Sequence, residues 1–357
     1  MNKIILLIIL SIPSVGFAAY FTPVDGSYGP AFTPEYINTI VQQMMDVAES
    51  FNSDQRILLA GSQDEFAKAN NNASASTMLN GSLYTRTEID NIAVGFGTAA
   101  GVVNPSAVSS IEADLNKGKD IGAGGAINGF TVYASADGAS FSDSFLKYLL
   151  FDAKIGYFSS GSVIDQFSSD SYMFGAGVRY KPFSRINISQ NMYMRPVTFG
   201  TGVYYVQSSL TVNADNLYKK IHDDLTGIQT EVSTDLQFVV SNSSTTIPIE
   251  AVTSFCFLDM FSLIAGTGFD FVFGSTDVDL ETDSDISVSH DILPIAPIQM
   301  PDLKLHDSKT TENSQMLRYK IITGLGFQLK SFTLDIPVTW YPVDDGYSIT
   351  IIGAALF

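Results

Sequence analysis

The feature that most constrains the fold is a strict alternation of apolar residues with small or polar ones, sustained over about ten residues at a time. The clearest runs are 92–103, 171–181, 247–257, 261–274, 317–329 and 332–341. A period of two is typical of a strand with one apolar face. Strands of soluble proteins are usually about five or six residues long, whereas a tilted strand needs about 9–11 residues to cross a bilayer. The length of these runs therefore favours strands that cross a membrane.

The connections between these strands alternate between tight and long. The turns at 258–260, 182–184 and 330–331 are short, whereas the segments 207–246 and 275–314 are long and polar. Short turns at one end and long loops at the other are typical of outer-membrane barrels. The sequence therefore predicts an all-β fold, an antiparallel transmembrane β-barrel of about ten strands, in a range of about 8–14.

Aromatic and charged residues support this prediction independently. Aromatic residues at the strand ends predict two girdles about a bilayer apart; they are Phe257, Phe261, Phe327, Phe332 and Phe357 near the tight turns, and Phe273, Tyr319, Trp340 and Tyr347 toward the long loops. Nine charged residues share the polar face of the strands and are expected to line the lumen: Asp152, Lys154, Arg179, Lys181, Glu250, Asp270, Arg318, Lys320 and Asp335. A basic residue facing lipid would cost about 2–4 kcal/mol at the midplane.

The charge balance of the predicted lumen leaves two alternatives. Five of the nine groups are basic and four are acidic, so the lumen is expected to be nearly neutral. In an open lumen, opposing charges would favour small polar solutes. In a closed lumen, the same groups would pair with one another around an inserted helix. A barrel of about ten strands is narrow and largely filled by side chains.

The composition excludes several classes of protein. The chain is 45% hydrophobic with a mean hydropathy of +0.17, which excludes disorder. Its 19 Lys and Arg against 37 Asp and Glu exclude a nucleic-acid partner, and one cysteine excludes a disulfide framework. Only 16% of residues are charged, against about 25% in soluble domains. A soluble β-sandwich, the alternative fold, would need to bury both faces of its sheets.

The N-terminal part of the chain has a different pattern. Residues 1–18 combine a basic start, a short apolar run and a small-x-small cleavage site, which predicts a secretory signal peptide. A Thr-Pro start at 33–34 and apolar residues at helical spacing predict a mostly helical segment over 33–70, followed by an Asn/Ser-rich linker at 70–76. We expect 19–88 to form a periplasmic cap or plug, and 89–357 to form the barrel.

The C-terminal strand carries a resemblance to a known class. Tyr347, Ile349, Ile351 and Phe357 lie on one face of an alternating segment that closes on an aromatic residue. This pattern resembles the assembly signal of outer-membrane β-barrel proteins of diderm, Gram-negative-type bacteria, and the acidic, Asn/Ser-rich loops resemble surface proteins of spirochaetes. The resemblance implies the bacterial cell outer membrane as location, its lipid as surroundings, and the barrel assembly machinery as partner.

Three further motifs have structural interpretations. Paired glycines, as at 95/97 and 266/268, lie in mid-strand, where a nucleotide site would need a strand-to-helix junction; we expect them to serve curvature or to make room for a plug. Alternating acidic residues at 277–285 lack the Gly and Glu of an EF-hand and predict a strand that emerges from the membrane, with weak divalent-cation binding as the alternative. Leu217, Ile221, Leu225 and Ile228 predict a helix within 207–246.

Catalytic motifs are lacking. His222, His290 and His306 all fall in predicted loops, and the chain has neither HExxH nor GxSxG, so we expect no enzymatic activity, metal or cofactor. The expected function is a passive channel or transporter for small solutes with a charged, narrow or plugged lumen. The alternative is a surface-exposed structural or adhesin protein, in which the barrel is an anchor and the segments 207–246 and 275–314 bind host ligands.

Overall fold

The computed structural model is dominated by long antiparallel strands. It describes residues 21–23, 63–78, 84, 92–105, 124–141, 145–159, 167–182, 186–223, 228–258, 260–290, 298–299, 303–305 and 308–357. In chain order the elements are β1 (Phe21–Pro23), α1 (Gln63–Ser76), β2 (Ile92–Val103), β3 (Gly124–Asp137), β4 (Leu149–Ser159), β5 (Phe167–Tyr180), β6 (Ile186–Ser189), β7 (Met192–Met194), β8 (Thr198–Asp223), β9 (Ile228–Phe257), β10 (Phe261–His290), β11 (Ile298–Gln299), β12 (Leu303–Leu305), β13 (Ser308–Asn313), β14 (Leu317–Leu329), β15 (Phe332–Tyr341) and β16 (Gly346–Leu356). Two short 3-10 turns, Gly138–Ser140 and Phe145–Tyr148, join β3 to β4.

Ten of these strands close into a barrel, which confirms the predicted fold class. The order around the wall is β2, β3, β4, β5, β8, β9, β10, β14, β15 and β16. Closure is made by β16 and β2, which pair along their whole length from Gly346 opposite Val103 to Leu356 opposite Ala93. At the tight-turn end the Phe357 amide donates to the Ile92 carbonyl at 2.9 Å. A closed wall leaves no strand edge unpaired in the hydrocarbon layer.

The alternation of the sequence becomes an inside and an outside. Phe96 on β2 is 56% exposed on the outer wall, whereas Ala93 on the same strand is fully buried. The aromatic residues of the predicted girdles lie on the outward face and pair there, as in Phe261 with Phe327 at 5.5 Å between ring centroids and Trp340 with Tyr347 at 6.4 Å. Among the residues that the structure describes, no helix is long and apolar enough to span a membrane.

Three strands are much longer than a bilayer requires. Strands β8, β9 and β10 have 26, 30 and 30 residues, and the seven other barrel strands have between 10 and 14. The last residue of β8 that pairs with β5 is Val212. Beyond it β8, β9 and β10 pair only with one another and with short strands among the described residues. We call this three-stranded extension, residues 213–223, 228–237 and 281–290, the arm.

The arm corrects two predictions about the long connections. The helix predicted within 207–246 is wrong, because Ile221 on β8 pairs with Thr230 on β9 and both strands continue to the tip. Pairing with a neighbouring strand has overridden the helical spacing of a few apolar residues. His222 and His290 accordingly lie in strands and not in loops. The acidic run 277–285 continues β10 as a strand, as predicted.

The N-terminal helix corrects a third prediction. The linker predicted at 70–76 is wrong, because these residues form the second half of α1. Asparagine and serine are weak helix formers in water, but here Ala67 and every residue from 69 to 78 is buried. The environment supplied by the rest of the protein therefore decides the conformation. The signal peptide at 1–18 and the first part of the predicted helical segment, 33–62, lie outside the described residues.

Helix α1 lies inside the barrel. It contacts β2, β3 and β16 on one side of the wall, and β8, β9, β10 and β13 on the other. A helix that touches inward faces on opposite sides of a closed ring, and that is buried around its circumference, occupies the lumen. We call residues 63–78, which comprise α1 and the turn after it, the plug.

Candidate functional site

Two glycines of the barrel wall lie directly against the plug. A Cβ atom added at Gly101 on β2 would lie 2.5 Å from the Ala73 carbonyl oxygen, and one added at Gly124 on β3 would lie 2.5 Å from that of Ala69. No side chain fits at either position while the helix is in place. These two inward glycines therefore let the helix backbone approach the wall.

The paired glycines singled out in the sequence serve a different purpose. A Cβ atom at Gly268 would lie 2.9 Å from the Glu250 Cα atom on the neighbouring strand, and one at Gly266 would lie 2.7 Å from a methyl group of Val252. Their neighbours belong to the wall and not to the plug. They allow close approach of adjacent strands, which is the curvature alternative of the sequence analysis.

Arg318 clasps the C-terminal half of the plug helix. Its Nη1 donates to the Asn72 carbonyl oxygen at 2.9 Å and to the Ser76 Oγ at 3.0 Å. Its Nη2 lies 2.8 Å from the Asp344 carboxylate, and its guanidinium stacks 3.8 Å from the centroid of Tyr341. The last turn of α1 has no basic residue of its own. Arg318 therefore supplies the cation and the donor that a helix C-terminus favours.

A balanced cluster of four charged residues lies deeper in the lumen. Glu250 on β9 pairs with Arg179 on β5 and with Lys320 on β14, whose Nζ is 3.2 Å from its carboxylate. The same Lys320 Nζ lies 2.7 Å from Asp270 on β10. All four side chains are at least 95% buried. Two cations and two anions compensate one another, as a buried charge requires. We call Arg179, Glu250, Asp270 and Lys320 the charge cluster.

Tyrosines surround the charge cluster and complete its hydrogen bonding. The Tyr341 hydroxyl donates to Asp270 at 2.9 Å. Tyr84, which precedes the barrel in the chain, donates to the Glu250 carboxylate at 3.4 Å and has its ring centroid 5.0 Å from the Arg179 guanidinium. Tyr84 also packs with an apolar group on the inner wall: Val252, Ile264 and Ile322. The N-terminal segment therefore fills the lumen at two levels, with the plug and with Tyr84.

A second charged pair lies on strand β4. The Lys154 Nζ is 3.9 Å from the Asp152 carboxylate, and both side chains are buried. The Tyr204 hydroxyl donates to Asp152 at 3.0 Å, and the Lys154 Nζ lies 4.6 Å from the centroid of the same ring. Tyr204 on β8 therefore contacts both members of this pair across the inner face of the wall.

The structure places eight of the nine predicted lumen residues on the inner face as buried side chains. They are Asp152, Lys154, Arg179, Glu250, Asp270, Arg318, Lys320 and Asp335. Lys181 lies just beyond β5, at the tight-turn rim, where it pairs with Asp137. Four of the eight come together in the charge cluster, two form the pair on β4, and Arg318 binds the plug. Asp335 lies on β15 and is fully buried.

Sequence reasoning missed several contributors to this lumen. Tyr204 and Tyr341 share the inward parity of the charged residues, so the alternation would have found them had it been applied to phenols as well. Asp137, the last residue of β3, shares that parity too, whereas Asp344 lies in a turn and Tyr84 precedes the barrel, where no local pattern marks them. Within the described part of the chain, no group of three His, Cys, Asp or Glu could hold a metal ion.

This geometry defines a class of protein: an outer-membrane-type β-barrel whose lumen is filled by a helix, a tyrosine and the charge pairs of its own chain. The chain belongs to the family described as Lsa36-like, whose model matches residues 20–355. No curated protein sequence matches it.

The chain resembles several solved structures at low sequence identity. The translocator domain of the autotransporter NalP from Neisseria meningitidis is 9% identical, with a TM-score of 0.29, and the match covers 76% of this chain and 90% of that one. The Ail attachment invasion locus protein of Yersinia pestis is 10% identical, with a TM-score of 0.22 and coverage of 74% and 95%. The Pseudomonas putida toluene transporter TodX is 8% identical, with a TM-score of 0.25 and coverage of 82% and 97%.

Proposed function

We propose that this protein is a surface anchor of the bacterial outer membrane: a closed barrel that holds the arm outside the cell. The observation that carries the proposal is the filled lumen, because the plug, Tyr84 and the charge cluster occupy the space that a passive pore would need. Of the two functions that the sequence suggests, the surface-exposed structural or adhesin protein is therefore the better supported. The surroundings would be outer-membrane lipid on the aromatic outer wall.

The arm is the part of the barrel best suited to a partner. It extends roughly ten residues per strand beyond the closed wall, or about 33 Å at ~3.3 Å per residue. Its three segments contain seven acidic and two basic residues. A negative sheet of this kind attracts partners with basic surfaces and steers their approach at low ionic strength. The host ligand is accordingly expected to present a cationic patch.

Insertion into the membrane follows from the same proposal. Tyr347, Ile349 and Ile351 lie on the outer face of β16, between 37% and 45% exposed, and Phe357 is 73% exposed. We propose that this outward row is the segment that the barrel assembly machinery recognises. The row lies on β16, the strand that closes the barrel by pairing with β2.

Cysteine labelling on intact cells tests the orientation of the arm. The native Cys256 is buried and is replaced by serine in all variants. We expect an Asp283→Cys variant, with its cysteine in the arm, to react with a membrane-impermeant maleimide on intact cells. A Lys330→Cys variant, with its cysteine at a tight turn, should react only after lysis. Labelling of Lys330→Cys and not of Asp283→Cys on intact cells would reverse the orientation and reject the proposal.

A gated channel is the second candidate, and one observation favours it. Arg318 fixes the C-terminal half of the plug through polar contacts, with the Asn72 carbonyl oxygen and the Ser76 hydroxyl. Contacts of this kind can be exchanged for solvent, so a signal that competes for Arg318 could release the helix and expose the charged inner wall.

Conductance in planar bilayers separates the two functions. If the protein is a surface anchor, the purified intact chain carries no step currents. An Arg318→Met variant, which loses the hydrogen bonds to the plug but keeps the length of the side chain, carries none either. The gated channel predicts a silent intact chain and step currents in Arg318→Met. A Lys330→Met variant, changed at an exposed turn, serves as the control. Steady currents through the intact chain would contradict both the anchor and the filled lumen.

A further inference from the structure

The plug is bonded unevenly around its circumference. On one side Arg318 donates to the Asn72 carbonyl oxygen, and the Gln315 amide donates to the Asn72 Oδ1 at 3.2 Å. Close backbone contact at Gly101 and Gly124 fixes an adjacent side. The remaining side faces β8 and β9, where the Ser74 and Ser208 hydroxyls lie 3.2 Å apart.

Neutral polar side chains form a row across the wall on that remaining side. Cross-strand partners on β5, β8, β9 and β10 make up the row: Ser171, Ser208, Asn242 and Thr276. Asn242 donates to the Ser208 hydroxyl at 3.3 Å, and Thr276 donates to the Asn242 Oδ1 at 2.5 Å. The row carries no charge and is distinct from the charge cluster.

Several polar atoms beside this row have no protein partner among the described residues. They are Asn71 Nδ2, Asn71 Oδ1, Ser171 Oγ, Ser244 Oγ and Thr246 Oγ1. Their side chains are at least 98% buried. Asn71 precedes Ser74 by three residues and therefore shares its helix face. Ser244 and Thr246 follow Asn242 on the inner face of β9. The plug contacts β9, which carries Ser244 and Thr246, and Ser171 lies opposite Ser208 of β8.

A buried amide or hydroxyl without a partner is costly, and proteins meet such groups with ordered water when several of them converge. These side chains offer donors and acceptors in mixture, as the two to four hydrogen bonds of an ordered water require. We propose that Asn71, Ser171, Ser244 and Thr246 bind a cluster of ordered water molecules between the plug and the wall.

This water site gives the plug a dry side and a wet side. On the side that faces β8 and β9, water can replace the hydrogen bonds between the helix and the wall one at a time as the helix moves. Whether the barrel acts as an anchor or as a gated channel, the interface at β8 and β9 is then the one along which the plug parts from the wall.

A double-mutant cycle tests the water site. Asn71→Leu and Thr246→Val keep the side-chain shapes and remove the polar atoms. If the atoms bind water, each variant shifts the urea midpoint of unfolding downward, and the double variant shifts it by less than the sum, because both act on one cluster. If the atoms are dry, removing them leaves the midpoint unchanged or raises it, and the effects add; that result overturns the proposal.

Two further measurements keep the test decisive. Asn72→Leu, which removes an amide oxygen with a protein donor, calibrates the loss expected from one buried hydrogen bond. A high-resolution crystal structure of the intact chain should show at least one water within hydrogen-bond distance of both the Asn71 amide and a hydroxyl of β9. A dry interface in that structure would overturn the proposal even if a variant failed to fold.

Discussion

Replacing Glu250 with alanine is expected to destabilise the folded barrel by about 3–5 kcal/mol, the usual cost of removing one partner from a buried ion pair. Within the charge cluster, Glu250 contacts both cations, Arg179 and Lys320. Its removal takes away the ion pair with Arg179 and leaves one carboxylate, Asp270, against the two cations of the cluster. The Tyr84 hydroxyl loses its acceptor in the same step.

Unfolding by urea in lipid vesicles measures this effect through the fluorescence of Trp340, the single tryptophan of the chain. Asp170→Ala is the matched control, because Asp170 is an exposed carboxylate on β5 and such changes usually fall within about 0.5 kcal/mol. Glu250→Gln keeps the shape and should lie between the two. Equal midpoints for Glu250→Ala and Asp170→Ala would show that the cluster does not stabilise the barrel.

Gly124→Leu is expected to displace the plug from the inner face of the barrel while the wall stays closed. A side chain at this position would overlap the backbone at Ala69, and overpacking of this kind typically costs about 1–3 kcal/mol. The helix should move before the wall does, because β3 pairs with β2 from Gly124 to Ala136 and with β4 from Phe130 to Asp137. Trypsin cleavage after Lys68, which lies in the plug, reports the displacement.

The intact folded protein should resist cleavage at Lys68, and Gly124→Leu should be cut many times faster at the same trypsin concentration. Gly353→Leu is the control, since a Cβ at Gly353 meets only side-chain atoms at 3.5 Å or more. Heat-dependent migration on a detergent gel verifies that each barrel is folded. Cleavage of Gly353→Leu as fast as Gly124→Leu would show that Gly124 has no special relation to the helix.

The wall of the barrel could be predicted because its signal is local and repeated. Alternation within each strand marks the lipid face, and the same parity assigns Arg318, Lys320 and Glu250 to the inside without knowledge of their neighbours. The approximate number of strands follows, about ten in a range of about 8–14, because each crossing has a minimum length set by the bilayer. Because lipid surrounds the outer face and polar groups line the inner face, every second residue of a strand is apolar, and this pattern predicts the wall.

The contents of the lumen could not be predicted in the same way. The segment Asn70–Ser76 has the composition of a linker and becomes a helix because ten strands, distant in sequence, surround it. Gly101 and Gly124 differ from other strand glycines only through what lies opposite them. The extension of β8 depends on pairing with β9, which a helical spacing of apolar residues obscured. The ion-pair partners of Glu250, Arg179 and Lys320, are also distant from it in the sequence.

The position of α1 inside the lumen is the central claim, and a designed disulfide tests it most directly. The Ser74 and Ser208 hydroxyls lie 3.2 Å apart, so cysteines at these positions would place their sulfur atoms near each other, as a disulfide requires. In a Cys256→Ser background, Ser74→Cys with Ser208→Cys should form the disulfide in the folded protein and leave no thiol for a maleimide. Ser74→Cys with Ser209→Cys, one residue along the strand and on its other face, should keep both thiols. Free thiols in the first pair, or equal cross-linking in both pairs, would contradict a helix within the barrel.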